Sequence, residues 1–381
     1  MTTPSTIRYI PREFEPDWAM APGTMIQEAL EDLGFTQADV AARASVSAKH
    51  LNQVIKAHVP LSPEVAVALE RVLGVPANHW LALEATWQAH KARQSSTASF
   101  AGLASWLRRF PADVLRGRNI VDPAADVSAQ ADALLRFFQV ADVAAFEKVW
   151  LTPQASYKRS QKFSIDSYAT ALWLRLAEVA ADASRSQCPS FDAAKLRSAA
   201  RMLLPLTREP VHAGFESAQG LLKKAGVLLV FVPEIADTRI TGVSKWLTSG
   251  HPVIALSGRY KYLDVFWFAL LHEVGHVLLH PKRATYLDID GGAAHDDEDQ
   301  QETAANLFAS ELVLDHGLRG ELKHLSTDAQ LHSLAQRAGV SPGMIAGQYG
   351  HATGDWRKFG RLRSRADLAA VLQGPPAQAH R

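Results

Sequence analysis

The feature that most constrains this chain is His272-Glu273-Val274-Gly275-His276. It is flanked by Phe266-Trp267-Phe268-Ala269-Leu270-Leu271 on one side and Val277-Leu278-Leu279 on the other. The apolar run predicts one long helix from Leu263 to His280, stopped by Pro281 and buried on most sides. Two histidines four residues apart stand one helical turn apart on the same face, so both imidazoles can reach one cation. Glu273 lies beside them, in reach of a water that such a cation activates. Burying two histidines and a glutamate in an apolar helix is costly unless a cation compensates. The pattern therefore points to one Zn²⁺ ion held by His272 and His276. Gly275 between them leaves room for another backbone to approach closely.

A catalytic zinc needs a third protein ligand and an open fourth position. Cys188 is the single cysteine of the chain, so the third ligand is His or a carboxylate. His280 lies eight residues beyond His272, about 12 Å further along the helix, and should not share the ion. A Gly-rich acidic stretch holding Asp288, Asp290, His295, Asp296, Asp297, Glu298 and Asp299 reads as solvated surface, although ligation from it remains open. Glu302 heads a helix predicted from about Asp299 to Leu314, where Ala305, Ala309 and Leu312 share its face. Small residues there allow close packing against the histidine helix.

The spacing Glu302-x-x-Ala305-x-x-Phe308-Ala309 after His-Glu-x-x-His resembles the ImmA/IrrE family of metallopeptidases. Ile240 to Leu247, Pro252 to Ser257, and Phe266-Trp267-Phe268 carry the same likeness. The resemblance implies that His272, His276 and Glu302 are the zinc ligands and Glu273 the general base of peptide hydrolysis. It departs from the family at Ala269-Leu270, where Thr-Leu or Thr-Phe is common, and at Asp315, where a proline often ends the Glu302 helix. An oxyanion stabiliser is expected, with His351, Tyr260 and Tyr262 as candidates. The run from Thr241 to Leu247 is expected to form an edge strand beside the site, open to an extended peptide.

The other end of the chain reads differently. Thr36 and Ser47 are helix caps on either side of Ala44-Ser45-Val46, and Leu51, Val54 and Ile55 recur at helical spacing. Two short helices joined by a tight turn, the second with an outward polar face, predict a helix-turn-helix. Gln37, Ser47, Lys49, His50, Asn52, Gln53 and Lys56 are its candidate DNA contacts; a helical bundle without a DNA role is the alternative. Pro22-Gly23, Thr36-Gln37, Val46-Ser47 and Leu61-Ser62-Pro63-Glu64 resemble HigA-type antitoxins of the Xre helix-turn-helix class. Ala44 stands where that class usually has glycine, which is acceptable if φ stays negative.

The net charge of +1 supplies no global attraction to nucleic acid or anionic membrane. Operator DNA would thus be read locally, by a homodimer on two half-sites. The longest apolar stretches fall short of the roughly 18 residues of a membrane span, no signal peptide is evident, and one cysteine suits a reducing compartment. A cytoplasmic protein without membrane contact is expected. At about 150 residues per domain, 381 residues suggest two or three domains.

The expected architecture is mainly α with a small β-sheet (α+β). It comprises an arm over residues 1–20, a helix-turn-helix bundle over 21–93, and a helical linker region over 94–200. A zincin-like metallopeptidase domain follows over 201–352, then a basic tail over 353–381 that should fray. One functional reading is a DNA-binding regulator whose zinc peptidase cleaves a protein partner, such as a repressor or cognate toxin, or itself. Another is a non-proteolytic antitoxin or repressor whose metal domain senses a ligand or binds a toxin. A third is a peptidase whose helix-turn-helix only dimerises it.

Overall fold

The computed structural model describes residues 19–95, 100–152, 165–280, 286–289 and 296–369. Most of the expected N-terminal arm, residues 96–99 of the linker, the end of the tail, and Asp290 and His295 lie outside them. The chain divides into two compact units, one over Arg8–Ser105 and the other containing Trp106–Arg381. The fold is α+β, as expected.

The N-terminal unit is built on helices α1 (Pro22–Leu33), α2 (Gln37–Arg43), α3 (Ala48–Ile55), α4 (Pro63–Leu73) and α5 (Ala77–Ser95). Thr36 caps α2 by accepting from the Asp39 amide, while the Asp39 carboxylate accepts from the Thr36 amide, a reciprocal capping box. Ser47 caps α3 by accepting from the His50 amide. Ala44 keeps φ at −82°, so it needs no glycine; the left-handed position of the turn falls instead on Ser45, at φ 55°. Ile26, Leu30, Val40, Leu51, Val54, Leu69 and Trp80 close the core. A side chain on Gly23 would collide with the Ile55 carbonyl, so glycine is what lets α1 lie against the end of α3.

The second unit begins with α7 (Ala112–Gly117), which follows α6 (Phe100–Leu107), then α8 (Val127–Phe138), α9 (Val143–Phe146) and a π-helical turn to Leu151. Trp106, Phe110, Phe138, Phe146 and Tyr168 form an edge-to-face cluster, with Phe138 and Phe146 centroids 4.8 Å apart. The region expected as a helical linker is helical over its described residues and carries packed aromatic side chains. Its aromatic content gives it a core of its own, and α10 (Ser167–Ser184) fastens it to a sheet. Arg175 of α10 donates to the Phe137 carbonyl, Trp173 Nε1 donates to the Val232 carbonyl, and Glu178 pairs with both Arg175 and Lys245.

Helices α11 (Ala193–Leu203) and α12 (Val211–Lys224) lead into the sheet of β1 (Leu228–Phe231), β2 (Ile240–Trp246), β3 (Pro252–Leu256) and β4 (Tyr286–Ile289), in the order β1-β3-β2-β4. β1 and β3 run parallel; β2 is antiparallel to β3 and to β4. The segment expected as an open edge, Thr241 to Leu247, is therefore interior: β4 covers its outer side.

Against the sheet packs α13 (Leu263–Leu279), which carries the histidine motif, and against α13 packs α14 (Asp296–Val313). Asp315 caps the short α15 (His316–Arg319) in place of a proline, and α16 (Asp328–Ala338) and α17 (Pro342–Thr353) complete the unit.

The basic segment beyond His351 does not fray over the residues described. Phe359 and Leu368 are buried, the Leu263 amide donates to the Ser364 carbonyl, and the Ala366 amide donates to that of Lys261. Arg363 pairs with buried Asp264 at 2.8 Å, and its guanidinium lies between the Tyr262 and Trp356 rings. The basic residues of this tail thus include one whose charge is needed inside the fold, which composition alone does not reveal.

Candidate metal centre

The crossing of α13 and α14 is set by small residues. A Cβ on Gly275 would stand 3.3 Å from the Ala305 Cα, and Ala305 and Ala309 are fully buried. With Ala305 at the contact, Glu302 lies one turn nearer the helix start and meets the two histidines. Its carboxylate oxygens are 3.2 Å from His272 Nε2 and 3.2 Å from His276 Nε2, and the two Nε2 atoms are 2.9 Å apart.

Among the described residues, these are the three side chains whose donor atoms gather within 4.8 Å of one another. Donors bound tetrahedrally at zinc distances lie about 3.3 Å apart, so the donor types and spacing fit a small divalent cation. His272 Nδ1 is 3.0 Å from Asn306 Oδ1. With an ion bound, a hydrogen bond donated from Nδ1 to that amide oxygen would leave Nε2 with its lone pair toward the site, as a ligand requires; without one, Nε2 faces the Glu302 carboxylate. Sequence reasoning missed Asn306. Its signal is the i, i+4 spacing from Glu302, which puts it on the same face of α14.

The electrostatics favour a neutral His276 and an ionised Glu302. Burial pushes His276 below the ordinary imidazole range. Burial also acts to raise Glu302, but hydrogen bonds from His272 and His276 outweigh it and bring that carboxyl down to about 2. Glu273 is completely buried and lies against β2, where a Cβ on Gly242 would stand 2.8 Å from its Oε1. His280 leaves the helix with extended backbone and accompanies the centre without joining it, its Nε2 3.0 Å from the Gln301 carbonyl.

His351 does not join this group. Its exposed ring stacks edge-on against Trp356, with centroids 5.1 Å apart. The reason lies in how α17 crosses α13: Gly347 abuts Asp264, two turns before His272, so the next turn of α17 meets the Arg363 cluster. Tyr262 serves that cluster too, under the guanidiniums of Arg363 and Arg365, while Tyr260 carries the Arg259 guanidinium over its ring.

In the N-terminal unit, Lys49 and Lys56 are exposed on α3 and its end, and His50, Asn52 and Gln53 are half-buried. Gln37 is hydrogen-bonded to Gln27, and the Ser47 hydroxyl is engaged as the α3 cap.

Comparison with known proteins finds a separate match within each unit. Residues 26–80 match the helix-turn-helix family model, and residues 223–347 match the model of the IrrE N-terminal-like domain, Peptidase_M78. The chain thus joins a helix-turn-helix domain to a domain of a metallopeptidase family. Over 78 residues it is 27% identical to the uncharacterized HTH-type transcriptional regulator YddM of Escherichia coli K12; the match covers 20% of this chain and 83% of that protein. No helix among the described residues is long and apolar enough to cross a membrane.

Proposed function

We propose that the chain is a cytoplasmic, HigA-like DNA-binding regulator whose second unit is a zinc-dependent endopeptidase acting on a protein partner, a repressor or toxin, or on the chain itself. The observation that carries this reading is the convergence of His272, His276 and Glu302 with Glu273 buried beside them. A sensor needs the three donors but has no use for a base next to them. Zinc, when bound, supplies a Lewis acid that lowers the pKa of a water and polarises a peptide carbonyl. Glu273 accepts the proton of the attacking water and returns it to the leaving amine. Asn306 holds the His272 ring in the tautomer that keeps Nε2 unprotonated. The match to an HTH-type transcriptional regulator supports DNA binding by the N-terminal unit; on this reading a homodimer reads operator DNA through Gln37, Ser47, Lys49, His50, Asn52, Gln53 and Lys56.

One observation favours a non-proteolytic alternative, an antitoxin or repressor whose metal domain only senses a ligand or binds a toxin. β2, the strand against Glu273, is paired on both sides. Zinc analysis and incubation with the product of the adjacent gene, comparing unaltered protein with Glu273→Gln, separate the two. Glu273→Gln should keep its zinc and lose cleavage; full biological activity in that variant would leave the alternative standing. In a gel-shift at fixed salt, Lys49→Ala, Asn52→Ala and Gln53→Ala together should abolish operator binding.

A further inference from the structure

A cleft of about 380 Å³ opens between α7 and the chain that leaves β1, within the size range of small-molecule sites, about 300–1,000 Å³. Leu176 of α10 and Ile235, both buried, supply its apolar lining together with Val114 and Pro233. Two opposite charges line the same cleft: Asp113 in the first turn of α7 and Arg118 at the end of that helix. Five residues apart on a helix, they are offset by about 7.5 Å along its axis. They do not pair with each other, and neither side chain has an ion pair among the described residues. Arg118 keeps contact with solvent, yet the protein packed around it pulls its guanidinium below the ordinary range, with no carboxylate offsetting that cost. The other acid of the cleft, Glu234, is held by Arg259 at 2.7 Å.

Gly117 lies in the wall between these charges. Its φ is not positive, and a Cβ on it would meet open space. Neither backbone nor packing requires glycine there, and glycine weakens a helix relative to alanine. Its effect is to leave the cleft free of a side chain at that point.

A cation and an anion held apart beside apolar side chains match a zwitterion with an apolar body. An extended dipeptide carries its terminal charges about 7 Å apart, close to the offset of Asp113 and Arg118. A single amino acid bears both charges on one carbon and spans less. We infer that this cleft binds a short apolar peptide with both termini free, its carboxylate on Arg118 and its ammonium on Asp113. The guanidinium offers the carboxylate two parallel N–H donors. None of these residues belongs to the metal centre, so the inference does not rest on the peptidase reading.

Isothermal titration calorimetry of the full-length chain with leucyl-leucine tests it. The unaltered chain should take up one dipeptide; no uptake overturns the inference. Arg118→Ala and Asp113→Asn should each weaken capture by about tenfold or more, as expected when a hydrogen bond to a charged group is lost. Gly117→Leu should abolish capture with the melting temperature unchanged, because the new side chain enters the cleft and not the core. Capture that survives both Arg118→Ala and Gly117→Leu places the peptide elsewhere and sinks the assignment.

Two capped probes separate the charges from the apolar contact. N-acetyl-leucyl-leucine amide, which carries neither terminal charge, should not bind; capture equal to that of leucyl-leucine would reduce the cleft to an apolar patch. N-acetyl-leucyl-leucine keeps only the carboxylate and should bind about tenfold or more weaker. Equal binding would remove Asp113 from the site and overturn the zwitterion.

Discussion

Gly242 of β2 and Glu273 of α13 touch: a methyl group on the glycine would stand 2.8 Å from Glu273 Oε1 and 3.1 Å from its Cγ. Glycine at this strand position therefore sets how closely the buried carboxylate approaches the sheet. Gly242→Ala should displace the Glu273 side chain while leaving His272, His276 and Glu302 together. We expect hydrolysis to fall at least as far as loss of a positioned general base allows, about 10²-fold, with zinc content unchanged. Metal analysis beside casein hydrolysis checks this; zinc lost in parallel with activity would place the damage at the ligands instead.

Glu302 supplies a pH signature in the metal-free protein. Its carboxyl sits near 2 in the fold, below an ordinary value of 4.5. The folded state thus holds fewer protons than the unfolded state between these values. Its contribution is complete above pH 4.5 and is lost as pH falls toward 2. Urea titrations of unaltered and Glu302→Gln protein should converge over that window and differ by a constant amount above it. The same substitution should strip zinc from the loaded protein.

The pair of Asp264 and Arg363 joins the C-terminal segment to the first turn of the motif helix. Both side chains are almost wholly buried, and burial raises the Asp264 carboxyl above its usual range even beside the guanidinium. Arg363→Ala strands a buried carboxylate, a change that typically costs about 3–5 kcal/mol. A thermal scan should show a large drop in the melting temperature of the second unit, and adding Asp264→Asn should recover part of it. No drop would mean that water reaches Asp264.

In the N-terminal unit, Gly23→Ala forces α1 away from the Ile55 carbonyl. Overpacking of this kind costs about 1–3 kcal/mol, and the backbone there needs no positive φ, so the effect is steric alone. We expect chemical denaturation to show a weakened helix-turn-helix transition and an unaltered transition of the metal unit. A variant as stable as the parent would show that α1 can slide at no cost.

The caps at Thr36 and Ser47, the periodicity of Leu51 and Val54, and the helix that surrounds His272 and His276 were legible because each rests on contacts within a few residues. Gly275 and the Ala305–Ala309 stripe told of a close crossing, since only small side chains permit one. Other features were not legible. Asn306 beside His272 depends on the rotation of α14 about its axis, and His351 went to Trp356 because Gly347 met Asp264 rather than a residue nearer the centre. The Ala- and Leu-rich helical spacing of this region reads as a helical linker, because its aromatic residues announce burial without naming the surface they bury against. β2 looked like an edge because a four-residue strand such as β4 is too short to carry an alternation of its own.

The sequence alone thus determined the local elements, the histidine pair with its neighbouring glutamate, and a short list of residues for the third donor. Hydrogen-bond caps, helical period and ligand spacing act over one or two turns of chain. Tertiary structure alone decided which strand lies against Glu273, which side of it is covered, and that the basic C-terminal segment is built into the fold. Those outcomes depend on pairings between residues tens of positions apart, where many partners are compatible with the same pattern and only mutual packing selects one.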